Sequence, residues 1–260
     1  MDQSGQTQVS LTDPDSRSMP AGKGHGTDVA YNVQVTVDSK HKLILDHEVT
    51  NDPTDRTHLG TMALRAKDLL GVKRLEAVAD MGYCDVQQIK SCAEAGIKTF
   101  IPKPLTSANR PLGLFTKEYF RYYARKDCYR CPAGQRLTFR FQTRELGRDV
   151  RYYATTACTS CRLRPKCTRN AGGRRITRSL DEGFLDAMER RNRAHPEKLK
   201  RRKAIVEHPF GTIKRSMNQG YFLTRGLANV GTEMSLSVLA YDLLRAINTL
   251  GVPRMIRALA

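Results

Sequence analysis

The stretch YNVQVTVDSKHKLILDHEV, residues 31–49, decides how the fold of this chain begins. After a polar turn near residues 38–40, a second apolar run occupies residues 43–45. Alternating apolar and polar residues are typical of a strand that buries one face, so the stretch predicts a β-hairpin. In its first half the apolar residues occupy every second position: Tyr31, Val33, Val35 and Val37.

Two helices and two further strands are predicted directly after this hairpin. Asp52 or Asp55 can cap the start of the first helix. LEAVAD predicts a buried strand that ends on Asp80, DVQQIKSCAEAG predicts a helix capped by Asp85, and KTFIP, residues 98–102, predicts another strand. The first helix carries an apolar stripe made of Leu59, Met62, Ala63, Ala66, Leu69 and Leu70.

These elements place the chain in the α/β class. The order strand, strand, helix, strand, helix, strand predicts a mixed sheet covered by helices. We assign residues 29–104 to the first part of this core. Residues 1–28 are rich in Ser, Gly, Pro and Asp and predict a flexible loop, in which only QVSLTD resembles a short strand.

The composition changes in the middle of the chain. Residues 105–175 contain five cysteines and β-favouring runs such as RLTFRF, which predicts an inserted β-rich module. Residues 176–260 predict helices that complete the core. The last strong helix carries an apolar stripe that we expect to be buried: Leu236, Leu239, Leu243, Ile247 and Leu250.

Positive charge is the strongest global property. The chain has 44 Lys+Arg against 26 Asp+Glu, a net charge of +18, and a pI of about 9.9. Between Cys161 and Arg215 there are 17 basic and 6 acidic residues. Such a chain repels itself, so we expect a polyanion as partner, with nucleic acid the foremost class. A solvated basic surface on a soluble enzyme is the alternative.

Other classes of protein are excluded by composition. With 260 residues and 40% hydrophobic content, the chain can bury a real core and is not disordered. No run approaches the ~20 apolar residues of a membrane span. The N-terminus lacks the pattern of a secretory signal. We therefore expect a cytoplasmic protein.

Five cysteines form a metal-binding pattern. Two CxxC pairs are followed by a single cysteine, in the order Cys128, Cys131, Cys158, Cys161 and Cys167. Each pair can offer two thiolates to tetrahedral Zn²⁺, with Cys167 as a spare or replacement ligand, and disulfides are rare in reducing compartments. We expect structural zinc. An iron–sulfur cluster, or a site that stays empty, is the alternative.

Two acidic residues are candidates for catalysis. Asp80 ends a predicted strand and precedes Met81 and Gly82, at the sheet edge where open α/β folds place their sites. Glu207 lies in RRKAIVEHPFGTIKR, the most basic segment of the chain. Phosphoryl transfer on a polyanion requires carboxylates that hold Mg²⁺ or Mn²⁺, with cations nearby to position the strand. A turn-capping role for Asp80 and a surface ion pair for Glu207 are the alternatives.

These residues carry a resemblance to a known family. In chain order, SLTDPDSRSM, YNVQVTVD, EVTND, ADMGY, CPAG and VEHPFGTIK resemble the motifs of bacterial insertion-sequence transposases of the DDE type. The resemblance is to the group with a cysteine-rich insertion and an EHPFG signature, and it spans roughly residues 8–252.

The resemblance implies an RNase H-like catalytic domain, two-metal DNA cleavage and strand transfer. It also implies a homo-oligomer on transposon ends and target DNA. Asp80 matches the second catalytic Asp of the family and Glu207 its catalytic Glu. Basic residues around Glu207 match or surround DNA-contacting positions of the family, and we expect five of them to bind DNA: Arg201, Arg202, Lys203, Lys214 and Arg215.

One part of the family pattern is missing from this sequence. The first catalytic Asp should lie on a central strand upstream of SLTDPD, between the hairpin and the strand of Asp80. Asp13, Asp15 or Asp38 replaces it, or the chain is an N-terminally truncated copy. We favour truncation and expect DNA binding with poor or no cleavage. Loss of that strand would leave two strand edges unpaired.

Two other functions fit part of the sequence. A non-catalytic, zinc-containing nucleic-acid-binding protein explains the charge and the CxxC pairs. A translation-associated zinc protein explains the same features but gives no role to Asp80 and Glu207. Substituting both acids separates the classes, because a binding protein would keep its full activity.

Overall fold

The computed structural model of the chain describes residues 9–20, 26–145 and 147–259. Two compact units are present. The first consists of Met1–Pro102 and Ala187–Ala260, and the second of Lys103–Asp186. The cysteine-rich segment, residues 105–175, thus falls entirely within the second unit.

A short antiparallel ribbon lies in the segment predicted to be a flexible loop. Strand β1, Arg17–Pro20, pairs with strand β2, Thr27–Ala30. The predicted strand at QVSLTD is wrong for its described residues, 9–13, none of which lies in a strand. The carbonyl of Asp13 accepts a hydrogen bond from the N–H of Ser16 (3.1 Å), which turns the chain before β1 begins.

The predicted hairpin is confirmed. Strand β3, Asn32–Val37, pairs antiparallel with strand β4, Ile44–Thr50. The N–H of Asp38 donates to the carbonyl of Leu43 (2.8 Å) across the connecting turn. Ile44 is buried in a core cluster with residues of the C-terminal helices, so the apolar pattern of the hairpin anchors it to the first unit.

Helix α1, Leu59–Leu69, confirms the predicted helix but not its cap. Leu59, Met62, Ala63 and Ala66 are buried. His58 is the N-cap residue and makes no side-chain cap hydrogen bond, so the predicted capping by Asp52 or Asp55 is wrong. Leu69 and Leu70 are exposed, because they lie at the very end of the helix.

A strand–helix–strand unit follows α1. Strand β5 is Leu75–Val78, helix α2 is Val86–Glu94, and strand β6 is Ile97–Phe100. The two strands are parallel, with Leu75 opposite Ile97. The carboxylate of Asp85 accepts the N–H of Gln87 (2.8 Å), which confirms the predicted N-cap.

The strand pairs of the first unit form separate sheets. Besides β1 and β2, β3 pairs with β4 and β5 pairs with β6, and none of the described strands pairs with both β3 and β5. The fold is mixed α/β, as predicted, but the expected continuous mixed sheet is present as two pieces. Neighbouring strands must lie ~4.8 Å apart to share hydrogen bonds, and a cleft separates β3 from β5.

The second unit is built on a five-stranded antiparallel sheet. Its strand order is β11-β10-β9-β8-β7. Phe120, Tyr129, Leu137, Tyr153 and Ile176 form its buried core. The strands are β7 Arg121–Tyr123, β8 Cys128–Arg130, β9 Arg136–Glu145, β10 Arg148–Ala154 and β11 Ile176–Ser179.

Helices dominate the rest of the chain. Within α4, Pro209 is buried and removes one backbone N–H from the helix. A π-helical segment, Thr212–Ser216, continues directly from α4. The helices are α3 Glu182–Ala194, α4 Pro196–Gly211, α5 Leu227–Leu250 and α6 Val252–Leu259.

Helix α5 buries a different face from the one predicted. Its buried residues are Val230, Met234, Val238 and Tyr241, and the last three pack in one cluster with Ile44. The expected stripe is wrong, because α5 has two apolar faces and periodicity alone does not say which one meets the core. The exposed stripe consists of Leu236, Leu239, Leu243, Ile247 and Leu250, with exposed fractions of 39–64%.

Two substitutions on α5 test this assignment. Met234→Ala should lower the free energy of unfolding by ~2–5 kcal/mol, since it opens a cavity in a packed core. Leu239→Asn should change it by less than ~0.5 kcal/mol, because the side chain is 57% exposed. Urea denaturation followed by circular dichroism measures both. Equal losses for the two variants would contradict the burial described.

Candidate functional site

A cleft of about 560 Å³ opens between the β3–β4 sheet and the β5–β6 sheet of the first unit. Residues 32–37 of β3 line one part of it and residues 75–78 of β5 line another. Helices α1 and α4 contribute the apolar lining. The side chains from these helices include Leu59, Met62, Ala63, Ile205, Val206 and Phe210.

Asp80 lies at the carboxyl end of β5, where it lines this cleft. Its Oδ1 accepts a hydrogen bond from the N–H of Gly82 (2.9 Å), so it caps the short turn Met81–Tyr83. Its Oδ2 lies 3.8 Å from Nη1 of Arg202 on α4. The carboxylate is therefore held by the next turn and faces a cation, with 46% of its side chain exposed.

Asp55 is a second carboxylate in the same place, and its position in the sequence predicts only a helix cap. Its Oδ1 accepts hydrogen bonds from Nδ2 of Asn32 and Nε2 of Gln34, both at 2.7 Å. Gln34 is buried, and its amide oxygen accepts the hydroxyl of Tyr83. Burial, followed by the charges of Asp55 and Asp80, raises the pKa of Tyr83, which keeps this hydroxyl protonated as a donor.

Gly82 lies next to both carboxylates. A methyl group at its Cα would lie 3.1 Å from Oδ1 of Asp80 and 3.2 Å from Oδ2 of Asp55. Both oxygens therefore face the same small space. Sequence spacing does not reveal this pair, because Asp55 and Asp80 belong to different elements that meet only in the folded chain.

Glu207 does not line the cleft. Val206 and Phe210 on either side of it do, whereas 62% of the Glu207 side chain is exposed. Its nearest cation is Nζ of Lys203, 3.9 Å away and one turn earlier on α4. Arg202 joins α4 to Asp80, so the helix that carries Glu207 also contacts the acid pair.

The five predicted DNA-binding cations lie on α4 and on the π-helical segment. Arg202 pairs with Asp80, and Lys203 lies near Glu207. Nη2 of Arg201 donates to the carbonyl of Ser39 (3.3 Å). Lys214 and Arg215 are exposed and have no ion-pair partner within the described ranges. These last two are therefore available to an external anion.

The three candidates for a first catalytic Asp have local structural roles. Oδ1 of Asp13 accepts the N–H of Gly226 (3.2 Å), and Oδ2 of Asp15 accepts the N–H of Leu227 (2.9 Å). Both carboxylates therefore accept hydrogen bonds from backbone N–H groups at the start of α5, where these groups have no acceptor within the helix. Asp38 accepts the N–H of Lys40 (3.1 Å) within the hairpin turn, and it lines the cleft.

His208 of the EHPFG motif links α4 to α5. Its Nδ1 lies 2.9 Å from the hydroxyl of Tyr241, which itself donates to the carbonyl of Lys42 (2.7 Å). Burial, followed by the charges of Lys42 and Arg245, lowers the pKa of His208. The ring is therefore neutral near pH 7 and donates from Nδ1. This part of the motif positions α4 rather than reacting.

Four of the five predicted thiols share one small cavity in the second unit. Cys131, Cys158, Cys161 and Cys167 line a space of about 20 Å³. Cys128 does not line it, and is buried on β8. Burial raises the pKa of the Cys167 thiol. The charge of Arg174 acts to lower this pKa, and the other three thiols act to raise it further.

Arg174 and Gly173 complete this thiol cavity. The Nε of Arg174 is buried and has no hydrogen-bond partner among the described residues. Gly173 has a φ of +84°, and a Cβ there would lie 2.8 Å from the Cβ of Cys158. Only glycine allows this approach without strain. The cavity thus combines four thiols with an unpartnered cationic donor.

The residues present fit the predicted metals unequally. In residues 9–20, 26–145 and 147–259, no group of three or more His, Cys, Asp or Glu side chains is arranged to hold a metal ion. The thiols as they lie therefore do not form a zinc coordination shell. Mg²⁺ needs only one or two protein carboxylates, with water and phosphate as its other ligands. The pair Asp55 and Asp80 meets that smaller requirement.

Comparison with known proteins identifies a family for this chain. The family described as "Transposase DDE domain" matches residues 116–247. This range contains Glu207 and the cysteines from Cys128 to Cys167, and it begins after Asp80. No curated protein and no solved structure matches the chain significantly. None of the helices in the described part is both long and apolar enough to cross a membrane.

Proposed function

Because this chain belongs to the DDE-domain transposases, we propose that it performs metal-dependent DNA cleavage and strand transfer of an insertion sequence. Its family makes it a transposase, acting broadly as a nuclease and transferase on DNA. We assign the catalytic roles to Asp80 and Glu207, and we add Asp55 as the acid beside Asp80. The hairpin, α1 and the parallel pair supply the parts of an RNase H-like core.

The observation that carries the proposal is the carboxylate pair at the cleft. Asp55 and Asp80 face one space beside Gly82, and the amides of Asn32 and Gln34 fix the position of Asp55. Two negative charges held together in this way favour a cation between them. Arg202 offsets part of that charge from the neighbouring helix.

A divalent ion would be held by Asp55 and Asp80, and it would supply activation of the attacking oxygen and stabilisation of the leaving one. Glu207 matches the third acid of the family, but its side chain is exposed on α4 outside this cleft. Residues of the chain orient the two carboxylates. Asn32 and Gln34 fix the orientation of Asp55, and the backbone N–H of Gly82 fixes that of Asp80. Tyr83 remains a protonated donor that locks Gln34.

The basic residues of α4 and the π-helical segment support DNA as the partner. Arg201 and Lys203 are exposed on α4, and Lys214 and Arg215 are exposed about three turns further along, in the π-helical segment. Cations spaced along a helix bind phosphates without regard to sequence, and such binding weakens steeply with salt. We propose that they position the strand to be cut, at transposon ends and at the target.

Substituting two of these cations tests this role. Lys214→Ala and Arg215→Ala should each weaken DNA binding about equally for every sequence, and lower the slope of log K against log salt by about 1. Fluorescence anisotropy with a labelled duplex between 50 and 200 mM salt measures the slope. Arg17→Ala on β1 is the control. An unchanged slope in both variants would remove the π-helical segment from the DNA surface.

Cleavage is tested with the purified chain, labelled duplex DNA carrying the element's ends, and Mg²⁺ or Mn²⁺. We expect DNA binding together with slow nicking that stops when the metal is chelated. Robust nicking would contradict the expectation of slow cleavage. Complete absence of nicking, with no metal binding at Asp55 and Asp80, would contradict the catalytic proposal.

We also propose that Cys131, Cys158, Cys161 and Cys167 bind structural Zn²⁺ and that Cys128 does not. Four thiolates complete the tetrahedral coordination of Zn²⁺, and their combined negative charge exceeds the positive charge of the ion. The guanidinium of Arg174 lines the same cavity and supplies an unpartnered donor toward them. A cavity of about 20 Å³ has room for a single ion.

One observation favours a second function, a non-catalytic zinc-containing nucleic-acid-binding protein. Glu207 is exposed and lies near Lys203, and it does not line the cleft with Asp80. In that case α4 serves only to bind a polyanion. A charge-removing substitution at Asp80 would then leave every activity of the chain unchanged, which is the opposite of the result we expect.

The exposed leucine stripe of α5 supports the proposed homo-oligomer. Five apolar side chains along one helix face form a surface that water disfavours. A symmetric pair of such faces would bury each other. Sedimentation of the chain with and without DNA measures the oligomeric state.

A further inference from the structure

The five-stranded sheet of the second unit packs one of its faces into the core cluster of that unit. Residues directly opposite each other on neighbouring strands place their side chains on the same face, and successive residues of one strand alternate between faces. Two such pairs, Tyr129 with Leu137 and Tyr153 with Ile176, belong to the buried core. Residues on the opposite face, here called the open face, include Arg121, Tyr123, Arg130, Arg136, Phe141 and Tyr152.

A β-bulge brings Phe141 onto the open face. Tyr152 lies opposite Phe141 and Tyr153 lies opposite Phe139, so Arg140 is an extra residue on β9 and the register shifts there. Beyond such a bulge the side chains of the strand exchange faces. Phe139 therefore contacts the core residue Tyr153, with ring centroids 6.2 Å apart, whereas Phe141 joins Tyr152 on the open face.

Phe141 and Tyr152 form a flat aromatic pair. Their ring centroids lie 4.6 Å apart and their ring planes differ by 13°. The hydroxyl of Tyr152 donates a hydrogen bond to the carboxylate of Glu145 on β9, which holds the tyrosine ring in this orientation. Phe141 is 45% exposed. A stacked pair with accessible ring surface is a platform on which another planar ring can stack.

Three arginines lie side by side across the same open face. Arg121 is directly opposite Arg130, and Arg130 is directly opposite Arg136, on the adjacent strands β7, β8 and β9. Because neighbouring strands lie ~4.8 Å apart, this row is about 10 Å wide. All three residues are exposed, and none of them has an ion-pair partner in residues 9–20, 26–145 and 147–259. Like charges directly opposite each other are destabilising, so the row favours a bound polyanion.

We propose that the open face of this sheet binds a single DNA strand, with unpaired bases stacked on Phe141 and Tyr152 and phosphates held by the row of three arginines. Bases of a duplex already stack on each other, whereas an unpaired base offers its ring faces to an aromatic side chain. Binding of this kind tolerates any sequence, because every base has a ring face and every phosphate carries the same charge. That the strand is DNA rests on the proposed function, whereas the stacking and the charge do not.

An acidic polypeptide fits the open face less well. Its carboxylates would offset the charge of the arginine row, but most of its side chains are not planar rings and would leave the aromatic pair uncovered. A nucleic-acid strand carries both features in every nucleotide, a planar base and a phosphate. The combination of arginines and stacked rings on one sheet face therefore favours the strand.

The test measures by anisotropy how the unmodified chain binds a fluorescein-labelled oligothymidylate of about 15 nucleotides. A second strand of the same length, abasic at alternate positions, keeps the phosphates and loses half of the bases. We expect saturable binding of the first strand and at least about tenfold weaker binding of the second. Equal binding of the two strands would overturn the proposal. Binding of oligouridylate at least about tenfold tighter than that of oligothymidylate would show that RNA is the occupant, which also contradicts it.

Matched substitutions separate stacking from charge. Phe141→Ala should weaken oligothymidylate binding at least about tenfold, and Tyr119→Ala, which removes an exposed tyrosine outside the five strands, should stay within about twofold. Arg130→Ala should lower the slope of log K against log salt by about 0.7, and Arg162→Ala, exposed outside the strands, should leave it unchanged. Unchanged binding in Phe141→Ala, or an unchanged slope in Arg130→Ala, would overturn the proposal.

Duplex binding on the same samples keeps this result apart from the proposed function. Phe141→Ala should bind duplex DNA within about twofold of the unmodified chain, because paired bases do not stack on the aromatic pair. An equal loss for duplex and single strand would show that the variant disturbs the fold, and the two strands on the unmodified chain then decide. A chain that nicks no DNA but binds single strands through Phe141 would leave the open face standing and remove only the catalytic proposal.

Discussion

Asp80→Asn is expected to reduce metal-dependent DNA nicking by at least ~100-fold while the Kd for DNA stays within about twofold. Asparagine keeps the shape of the side chain and can still accept the N–H of Gly82, but it carries no charge for a cation. Asp55→Asn should have an effect in the same direction, because Asp55 faces the same space. Gel assays with end-labelled DNA measure nicking and binding on the same samples.

Titration with Mn²⁺, followed by electron paramagnetic resonance, compares metal binding by the same two variants and does not depend on DNA cleavage. Each of the two variants should weaken Mn²⁺ binding about tenfold or more. Asp28→Asn, on exposed strand β2, is the matched control and should change neither quantity. Unchanged nicking and unchanged Mn²⁺ binding in both Asp80→Asn and Asp55→Asn would remove this carboxylate pair from the catalytic site.

Cys131→Ser is expected to abolish zinc binding and to unfold much of the second unit. Structural zinc contributes ~10–16 kcal/mol to small metal-bound modules, which exceeds the stability of a typical domain. Cys158→Ser, Cys161→Ser and Cys167→Ser should behave alike, because all four thiols line one cavity. Elemental analysis of the purified chain measures zinc, and proteolysis within residues 103–186 measures folding.

Cys128→Ser is the matched control for this series. Cys128 belongs to the same sequence pattern but lies outside the thiol cavity, so this variant should retain about one zinc per chain. A native chain without zinc, equally folded after Cys131→Ser, would contradict the metal proposal. Loss of zinc in Cys128→Ser with retention in Cys167→Ser would show that the ligand set was assigned wrongly.

Local pattern predicted most of the secondary structure. The alternation from Tyr31 to Val37 requires a strand with one buried face, and Asp85 before an apolar helical stripe is an N-cap. Both were confirmed, because hydrogen bonds and side-chain direction within a few residues decide them. The predicted helix cap at Asp55 was wrong because local pattern shows only that Asp55 lies near the start of a helix. In the folded chain its carboxylate faces Asn32 and Gln34 instead.

The sequence by itself determined the α/β class, the hairpin, the cysteine-rich module, the basic segment around Glu207 and the family to which these motifs belong. Tertiary structure alone decided which face of α5 is buried, which four thiols share a cavity, and that Asp55 meets Asp80 beside Gly82. It also decided that β3 and β5 stand apart across a cleft. The reason is physical: periodicity and capping act between neighbours in the chain, whereas packing and charge act between atoms that only folding brings together.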